Sequence, residues 1–155
     1  MSKLKLGTGA PNEIVMTREF DAPRRLVITA MTTPALIKRW LGGVRAEVLS
    51  AEVDLRVGGT YRYVLRPRQG KDFAFGGTYR EISDERVVQT ESFDDYPGES
   101  TVTTTFAESG GRTALRIVIA FDSQATRDIV LGTGMADGAG ESYDALDAVL
   151  AGLAR

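Results

Sequence analysis

The stretch Gly59–Ile82, with the sequence GTYRYVLRPRQGKDFAFGGTYREI, shows the pattern that decides the fold. Two runs rich in β-branched and aromatic residues flank the turn-forming segment PRQGK. Such runs on either side of a short turn predict two antiparallel neighbouring strands. In the first run Tyr61, Tyr63 and Leu65 share one face, and we expect this aromatic face to point inward.

The same pattern continues on both sides of this stretch. Short β-branched and aromatic runs recur about every 12 residues and are separated by turn signals. Together with the pair above, the predicted strands are 13–20, 46–53, 59–66, 73–82, 86–93, 100–107 and 113–121. From the second strand onward the gaps are too short to hold crossover helices, so successive strands should be antiparallel neighbours.

Two short helices are predicted between the first two strands. Asp21 is expected to be the N-cap of the first helix, with Pro23 in its first turn. Thr33-Pro34 ends that helix and starts the second, which ends at Gly42-Gly43.

The C-terminal segment is also predicted to be helical. Asp122 or Ser123 can cap it, and the apolar and small residues beyond recur at steps of three and four, as in an amphipathic helix. A helix over Met135–Ala154 would be about 30 Å long. Residues 1–12 are expected to form a flexible arm, because glycine and proline interrupt them, and residues 13–155 to form a single domain.

This order of elements predicts an α+β fold in which a curved sheet surrounds the last helix. Seven strands spaced about 4.8 Å apart make a sheet roughly 30 Å wide. One helix with its side chains is only about 10–12 Å thick. The helix cannot cover a flat sheet of that width, so the antiparallel sheet should curl around it. Space that side chains do not fill can then remain between the two.

Four glycines, at positions 132, 134, 138 and 140, lie near the start of this helix. A glycine inside a helix costs about 1 kcal/mol relative to alanine. One interpretation is a broken helix, or close backbone contact with the sheet. The other is that the glycines make room for a ligand, and the sequence leaves both interpretations open.

The composition limits the chemistry that is available. The chain has 155 residues and a formal net charge of −2, and it contains neither histidine nor cysteine. Histidine- and cysteine-based nucleophiles, disulfides, zinc fingers and iron–sulfur clusters are thereby excluded. Glu52, Glu81, Glu91 and Glu141 are the acid–base candidates, and any of them in an apolar interior should have a raised pKa. No calcium-type acidic loop is present, and we expect no metal and no cofactor.

The charge and the motifs also limit the partners and the location. A net charge of −2 provides no strong field for nucleic acid. Gly58-Gly59 precedes a strand and not a helix, so it lacks the helix dipole that favours phosphate binding. We find no signal-peptide core and no run of about 18 apolar residues, so we expect a cytoplasmic protein without a membrane span.

The inward faces of the strands and the stripe of the last helix supply candidate ligand-binding residues. Plain core packing explains each face taken by itself. Several tyrosines and threonines around one apolar interior are nevertheless more typical of a pocket with a few orienting polar groups, because a buried phenol needs a hydrogen-bond partner. The predicted ligand-binding residues are Trp40, Tyr61, Tyr63, Phe75, Tyr79, Thr104, Phe106, Leu115, Ile117, Met135, Gly138 and Ser142.

Four blocks of the chain resemble a known family in order and spacing. They are FDAPRRLV at 20–27 with the segment 33–40 that ends in Trp40, DLRVGGTYRY at 54–63, GTYREI at 77–82, and the helical tail from Gly134 to Leu146. This pattern resembles bacterial stand-alone proteins of the activator-of-Hsp90-ATPase-homologue type, in the START/Bet v 1-like (SRPBCC) superfamily. The resemblance covers about Ile14 to Leu150. Leu41 and Gly42-Gly43 depart from the family pattern, which often has a second aromatic residue and a proline there.

The resemblance implies the helix-grip fold: a seven-stranded curved antiparallel sheet around a long C-terminal helix, with two short helices after strand 1. It also implies a deep hydrophobic cavity for lipids, polyketides or other apolar molecules. The eukaryotic activator has a separate N-terminal domain for chaperone contact, and this chain has no room for one, so we do not expect contact with Hsp90.

Three functions stay open at this stage. The first is binding or carriage of a small apolar or amphipathic molecule. The second is an enzyme of the cyclase or hydrolase kind acting on an apolar substrate, which a buried carboxylate in the cavity would favour. The third is a protein-interaction module, which a filled interior or a large exposed apolar patch would favour. A second copy of the chain, as a homodimer, is also compatible with the sequence.

Overall fold

The computed structural model describes residues 3–154, which form one antiparallel sheet and four helices. The strands are β1 (Lys5–Gly7), β2 (Glu13–Phe20), β3 (Ala46–Val53), β4 (Thr60–Pro67), β5 (Phe73–Ile82), β6 (Arg86–Phe93), β7 (Ser100–Ser109) and β8 (Arg112–Ala120). The helices are α1 (Arg24–Thr32), α2 (Pro34–Trp40), α3 (Gln124–Gly132) and α4 (Met135–Leu153). The strand order in the sheet is β1-β2-β8-β7-β6-β5-β4-β3.

The predicted α+β helix-grip fold is confirmed, with one more strand than expected. The additional strand, β1, pairs with β2 through Lys5 and Thr17 and lies at the edge of the sheet. Residues 5–7 therefore form a strand where the sequence predicted none, while the flexible arm stays a prediction, and residues 1 and 2 lie outside the described residues. The strand conformation of residues 5–7 comes from pairing with β2, which the local sequence of glycines and lysines does not encode.

The helices begin and end close to the predicted cap and turn residues, except at the N-cap of α1. Pro23, and not Asp21, is the N-cap of α1, and no side chain caps that helix. Asp21 is exposed, with Oδ1 3.5 Å from Nη1 of Arg112. At the other end of the chain, Ser123 caps α3 by accepting a hydrogen bond from the backbone N–H of Thr126 (3.1 Å).

The helical tail is broken where the glycines begin. α3 ends at Gly132, and Gly134 takes a left-handed conformation (φ 81°) before α4 starts. An ideal Cβ added at Gly138 would meet no atom within 4 Å, so close backbone packing does not explain a glycine there. A broken helix is thus what the structure shows at the start of the glycine cluster.

The sheet is strongly curved around α4. Met16 on β2 and Tyr63 on β4 line the same interior space, although five strand spacings separate them in the sheet. Five spacings amount to about 24 Å in a flat sheet. Curvature therefore brings the two halves of the sheet to one side of α4, and the space between them is where a site can form.

A buried arginine fastens α4 to β2. The Arg18 side chain is 1% exposed and forms an ion pair with Asp144, while its Nη2 lies 3.7 Å from Oδ2 of Asp147. Its guanidinium also lies over the Phe20 ring, 5.3 Å from the ring centroid. Because a buried charge without a partner is strongly unfavourable, these two carboxylates hold α4 in one register against the sheet.

Candidate functional site

A cavity of about 210 Å³ lies between the sheet, α2 and α4. It is much larger than the space that one water molecule needs, about 10–15 Å³ on the same kind of measure. Its walls come from six strands and three helices, and most of them are apolar or aromatic. The lining residues are Met16, Met31, Thr32, Ile37, Trp40, Leu41, Tyr61, Tyr63, Phe75, Tyr79, Val87, Gln89, Glu91, Val102, Thr104, Phe106, Ile117, Ile119, Met135, Ala139 and Tyr143.

The structure brings nine of the twelve predicted ligand-binding residues together around this cavity. The nine are Trp40, Tyr61, Tyr63, Phe75, Tyr79, Thr104, Phe106, Ile117 and Met135. They come from α2, β4, β5, β7, β8 and α4, so the curvature of the sheet is what assembles them. Their role in binding a ligand stays a prediction.

The other three predicted residues are not among the cavity-lining residues. Leu115 is 1% exposed and belongs to the packed core, one pleat along β8 from Ile117. Gly138 lies on α4 between two lining residues, Met135 and Ala139, but at a different angle around the helix. The Ser142 hydroxyl accepts a hydrogen bond from the backbone N–H of Gly42 (3.0 Å), so it joins α4 to the turn after α2 instead.

Two aromatic walls face the cavity. On the sheet, the ring centroids of Tyr61 and Tyr63 are 5.3 Å apart, and those of Tyr61 and Tyr79 are 5.4 Å apart. On the helical side, Trp40 stacks on Tyr143 with a centroid distance of 5.8 Å. Sequence analysis missed Tyr143 as a lining residue, although its position four residues after Ala139 places it on the same helix face.

Hydrogen bonds to the backbone hold two of these rings in place. The Trp40 Nε1–H donates to the carbonyl oxygen of Ala30 (2.9 Å), which locks α2 against α1. The Tyr61 hydroxyl donates to the carbonyl oxygen of Thr90 (2.6 Å), and this hydrogen bond crosses from β4 over β5 to β6. Both polar groups are thereby satisfied inside the core, and both rings line the cavity.

Glu91 places a carboxylate in this apolar and aromatic space. It follows Val87 and Gln89 on the inward face of β6, and all three line the cavity. No side chain or backbone group in residues 3–154 forms an ion pair with its carboxylate or donates a hydrogen bond to it. Burial disfavours the charged form and raises the pKa of Glu91 from 4.5 to about 7.

The other three acid–base candidates lie elsewhere. Glu81 forms an exposed ion pair with Arg86, and the partly buried Glu141 forms an ion pair with Arg45. Glu52 lines a groove on the outer face of the sheet. Glu91 is therefore the only one of the four predicted candidates whose side chain faces the cavity.

The tyrosines around Glu91 stay protonated over the physiological range. Burial, followed by the Glu91 charge, raises the pKa of Tyr61 and of Tyr143. Burial also raises the pKa of Tyr63, and it raises the pKa of Tyr79 to about 12. These four groups are thus neutral hydroxyls near pH 7, which leaves Glu91 as the cavity-lining group that titrates there.

The outer face of the sheet carries a second, polar concavity of about 320 Å³. It is the larger of the two, but two of its three charged groups already pair with each other. Arg62 and Asp94 form two hydrogen bonds there (2.9 and 2.6 Å), and the hydrogen bond from Arg62 lowers the pKa of Asp94. A solvent-facing ion pair of this kind contributes little binding energy, so the inner cavity is the stronger candidate site.

Within residues 3–154, no three acidic side chains are grouped so as to hold a metal ion. In the same range no helix combines the length and the hydropathy that crossing a bilayer requires.

Solved structures of bacterial proteins share this fold. A protein from Rhodobacter sphaeroides is 26% identical, with a TM-score of 0.90 and coverage of 97% of this chain and 99% of that chain. A protein from Chromobacterium violaceum is 31% identical, with a TM-score of 0.77 and coverage of 90% and 97%. An AHSA1-like protein from Aeromonas hydrophila, 20% identical over 88% and 94%, supports the fold alone, with a TM-score of 0.67.

A comparison with functionally curated proteins finds no match. The family model for activator of Hsp90 ATPase homolog 1-like proteins matches residues 21–151, which include α1 and α2, the strands that line the cavity beyond β2, and nearly all of α4. The chain therefore belongs to the activator of Hsp90 ATPase homolog 1-like family.

Proposed function

We propose that this protein binds a small amphipathic molecule in the cavity between the sheet and α4. The observation that carries the proposal is an interior space of about 210 Å³ whose lining is apolar and aromatic apart from a few polar groups, Glu91 and Gln89 among them. A mostly apolar lining with few polar groups is the usual composition of small-molecule sites. The family's fold commonly binds hydrophobic ligands, which adds support.

The volume limits the size of the ligand. Drug-sized ligands occupy pockets of about 300–1,000 Å³, whereas an engineered apolar cavity of about 150 Å³ binds benzene. A space of about 210 Å³ therefore suits a substituted single ring or a short branched chain. A ligand that buries about 200 Å² of apolar surface gains roughly 5 kcal/mol before the costs of association, so we expect dissociation constants in the millimolar range, with about 0.2 mM as the tightest.

Filling the cavity should abolish binding. Ala139 lines the cavity from α4, and in Ala139→Phe the new ring would occupy part of the space. We expect tert-butylbenzene to bind the wild-type protein, and its affinity to fall at least tenfold in Ala139→Phe, as measured by ligand-detected NMR and by shifts of backbone amide signals.

Ala148→Phe is the matched control, because Ala148 is exposed on the same helix. This variant should keep the wild-type affinity. Equal affinity in all three proteins would place the bound molecule outside the cavity, and no binding of any small apolar molecule to the wild-type protein would refute the proposal.

A second candidate function is acid–base catalysis, which the unpaired carboxylate of Glu91 favours. A desolvated carboxylate is a stronger base than one in water. 5-Nitrobenzisoxazole tests for this reactivity: the base removes the C3 proton, the N–O bond breaks, and 2-cyano-4-nitrophenolate forms, while the proton passes from the carboxylate to water. If Glu91 is reactive in this way, ring opening at pH 8 should exceed the buffer rate and fall about 10²-fold or more in Glu91→Gln. A rate unchanged by the substitution would exclude this function for Glu91.

A further inference from the structure

When Glu91 is ionised, the cavity holds a negative charge that no lining residue compensates. Its 21 lining residues, all within the described chain, include Glu91 but neither lysine nor arginine. Outside the cavity, the exposed Glu99 acts electrostatically on Tyr61 and faces Arg80, with 4.0 Å between Oε1 and Nη2. Glu91 is partly buried, and a carboxylate that is partly withdrawn from water without a counter-charge favours taking up a proton or attracting a cation.

The remaining walls suit a cation as well. Tyr61, Tyr63 and Tyr79 form a continuous aromatic surface on the sheet, and the Trp40–Tyr143 stack forms another on the helical side. Aromatic faces attract ammonium groups through the ring quadrupole, and the attraction strengthens when water is excluded. The apolar body of a ligand gains the burial energy whatever head group it carries. The carboxylate and the aromatic rings together favour a positively charged head group.

We propose that the ligand of this cavity is a small organic cation, a protonated or quaternary amine on an apolar body, with Glu91 as its counter-ion and the surrounding aromatic rings as its cage. This inference rests on the proposed function, because it assumes that the cavity takes a ligand. It adds the chemical class: a monoamine or ammonium compound no larger than a substituted single ring.

The proposal predicts a specific pH dependence. Facing Glu91 are Tyr61 and Tyr63 from β4, Tyr79 from β5 and Tyr143 from α4, all of them neutral near pH 7 because burial raises each pKa. The lining residues from β7, Val102, Thr104 and Phe106, carry no charge, and the same holds for those from β2, β8, α1 and α2. A cation therefore needs one group, Glu91, to be deprotonated, and its affinity should fall about tenfold per pH unit below pH 7.

The test compares two probes of nearly the same shape: phenyltrimethylammonium and its uncharged analogue tert-butylbenzene. At pH 8 we expect the wild-type protein to bind the cation at least tenfold more tightly than the neutral probe, by calorimetry and NMR titration. Between pH 8 and pH 5 the affinity for the cation should fall by more than tenfold, whereas that for tert-butylbenzene should change by less than threefold.

Glu91→Gln should remove at least tenfold of the affinity for the cation and leave the neutral probe within threefold. Glu99→Gln is the matched control, since it removes a nearby negative charge outside the cavity, and it should change neither affinity by more than twofold. Should Glu91→Gln fail to fold, the pH profile of the wild-type protein decides the question alone.

The outcomes separate the two proposals. If tert-butylbenzene binds as tightly as the cation at pH 8, or if the affinity for the cation does not depend on pH and Glu91, the cation proposal is overturned while ligand binding stands. If neither probe binds, the proposed function fails, and the cation proposal fails with it.

Discussion

Replacing Glu91 by glutamine is expected to change the pH dependence of stability, because the wild-type protein pays a desolvation penalty that the variant avoids at high pH. Burial raises the pKa of Glu91 from 4.5 to about 7, so the folded state binds a proton more tightly than the unfolded state does. A raised pKa contributes stability at low pH, and this contribution is lost as the pH rises from the unfolded value through the folded one. The wild-type protein should therefore lose stability relative to Glu91→Gln as the pH increases.

The expected size follows from the two pKa values. Between pH 5 and pH 8 the difference in free energy of unfolding between variant and wild type should shift by about 2–3 kcal/mol in favour of the variant. Urea unfolding followed by tryptophan fluorescence at half-unit steps of pH measures this difference. Most of the change should fall between pH 5 and pH 7, with a plateau above pH 8.

Glu85→Gln is the control for this experiment. Glu85 lies in the exposed turn between β5 and β6, outside the cavity. Its stability difference from the wild type should stay within about 0.5 kcal/mol across the same range, as for other surface substitutions. A flat profile for Glu91→Gln would mean that the Glu91 carboxylate is solvated in the folded protein, and it would remove the basis for both the cation proposal and the base chemistry.

The sequence was sufficient to place seven of the eight strands, and in β4 and β8 buried and more exposed side chains alternate clearly. Tyr61, Tyr63 and Leu65 were expected to point inward, and all three are buried. Alternation shows which face of a strand points inward, however, and not which positions along the strand reach the cavity. Leu115 and Ile117 share the inward face of β8, but only Ile117 reaches the cavity, because the space lies beside the stretch of β8 that pairs with Met16 and Thr104.

The position of the acidic group could not be predicted for a related reason. Four glutamates were candidates, and their local sequences contain only one signal that ranks them. Arg86 and Arg45, which pair with two of them, lie 5 and 96 positions away in the chain, so the long-range partner is known only from the fold. The alternation of Val87, Gln89 and Glu91 does indicate that Glu91 shares the face of a core residue, and it is the one local pattern that favours it.

Replacing Gly77 by alanine is expected to be the most damaging small substitution in the sheet. A Cβ added at Gly77 would lie 2.0 Å from the carbonyl oxygen of Thr90 and 2.7 Å from its Oγ1. Both atoms belong to the neighbouring strand β6, and the first is backbone, so β5 and β6 must move apart to admit the methyl group. Overpacking of this kind typically costs about 1–3 kcal/mol.

The same carbonyl oxygen makes this position important for the cavity. It accepts the hydrogen bond from the Tyr61 hydroxyl (2.6 Å), and a shift of β6 that breaks this bond leaves a buried phenol unsatisfied. An unsatisfied buried group costs about 1–3 kcal/mol more. We therefore expect Gly77→Ala to lower the free energy of unfolding by about 4 kcal/mol, and to disturb binding because Glu91 follows Thr90 directly.

Two further variants separate steric strain from general loss of a glycine. Tyr61→Phe removes only the hydroxyl and should cost about 1 kcal/mol, which isolates the hydrogen-bond contribution if Gly77→Ala does not accumulate as a folded protein. Gly138→Ala is the matched glycine control: its added Cβ meets no atom within 4 Å, and it lies inside α4, so it should stabilise the protein by up to about 1 kcal/mol. Because the two glycine substitutions add the same methyl group, opposite signs in urea unfolding would assign the effect at Gly77 to its contact with Thr90. A loss of less than about 1 kcal/mol at Gly77 would show that β5 and β6 separate easily, and the aromatic wall built on Tyr61 would then be too deformable to discriminate between ligands by shape.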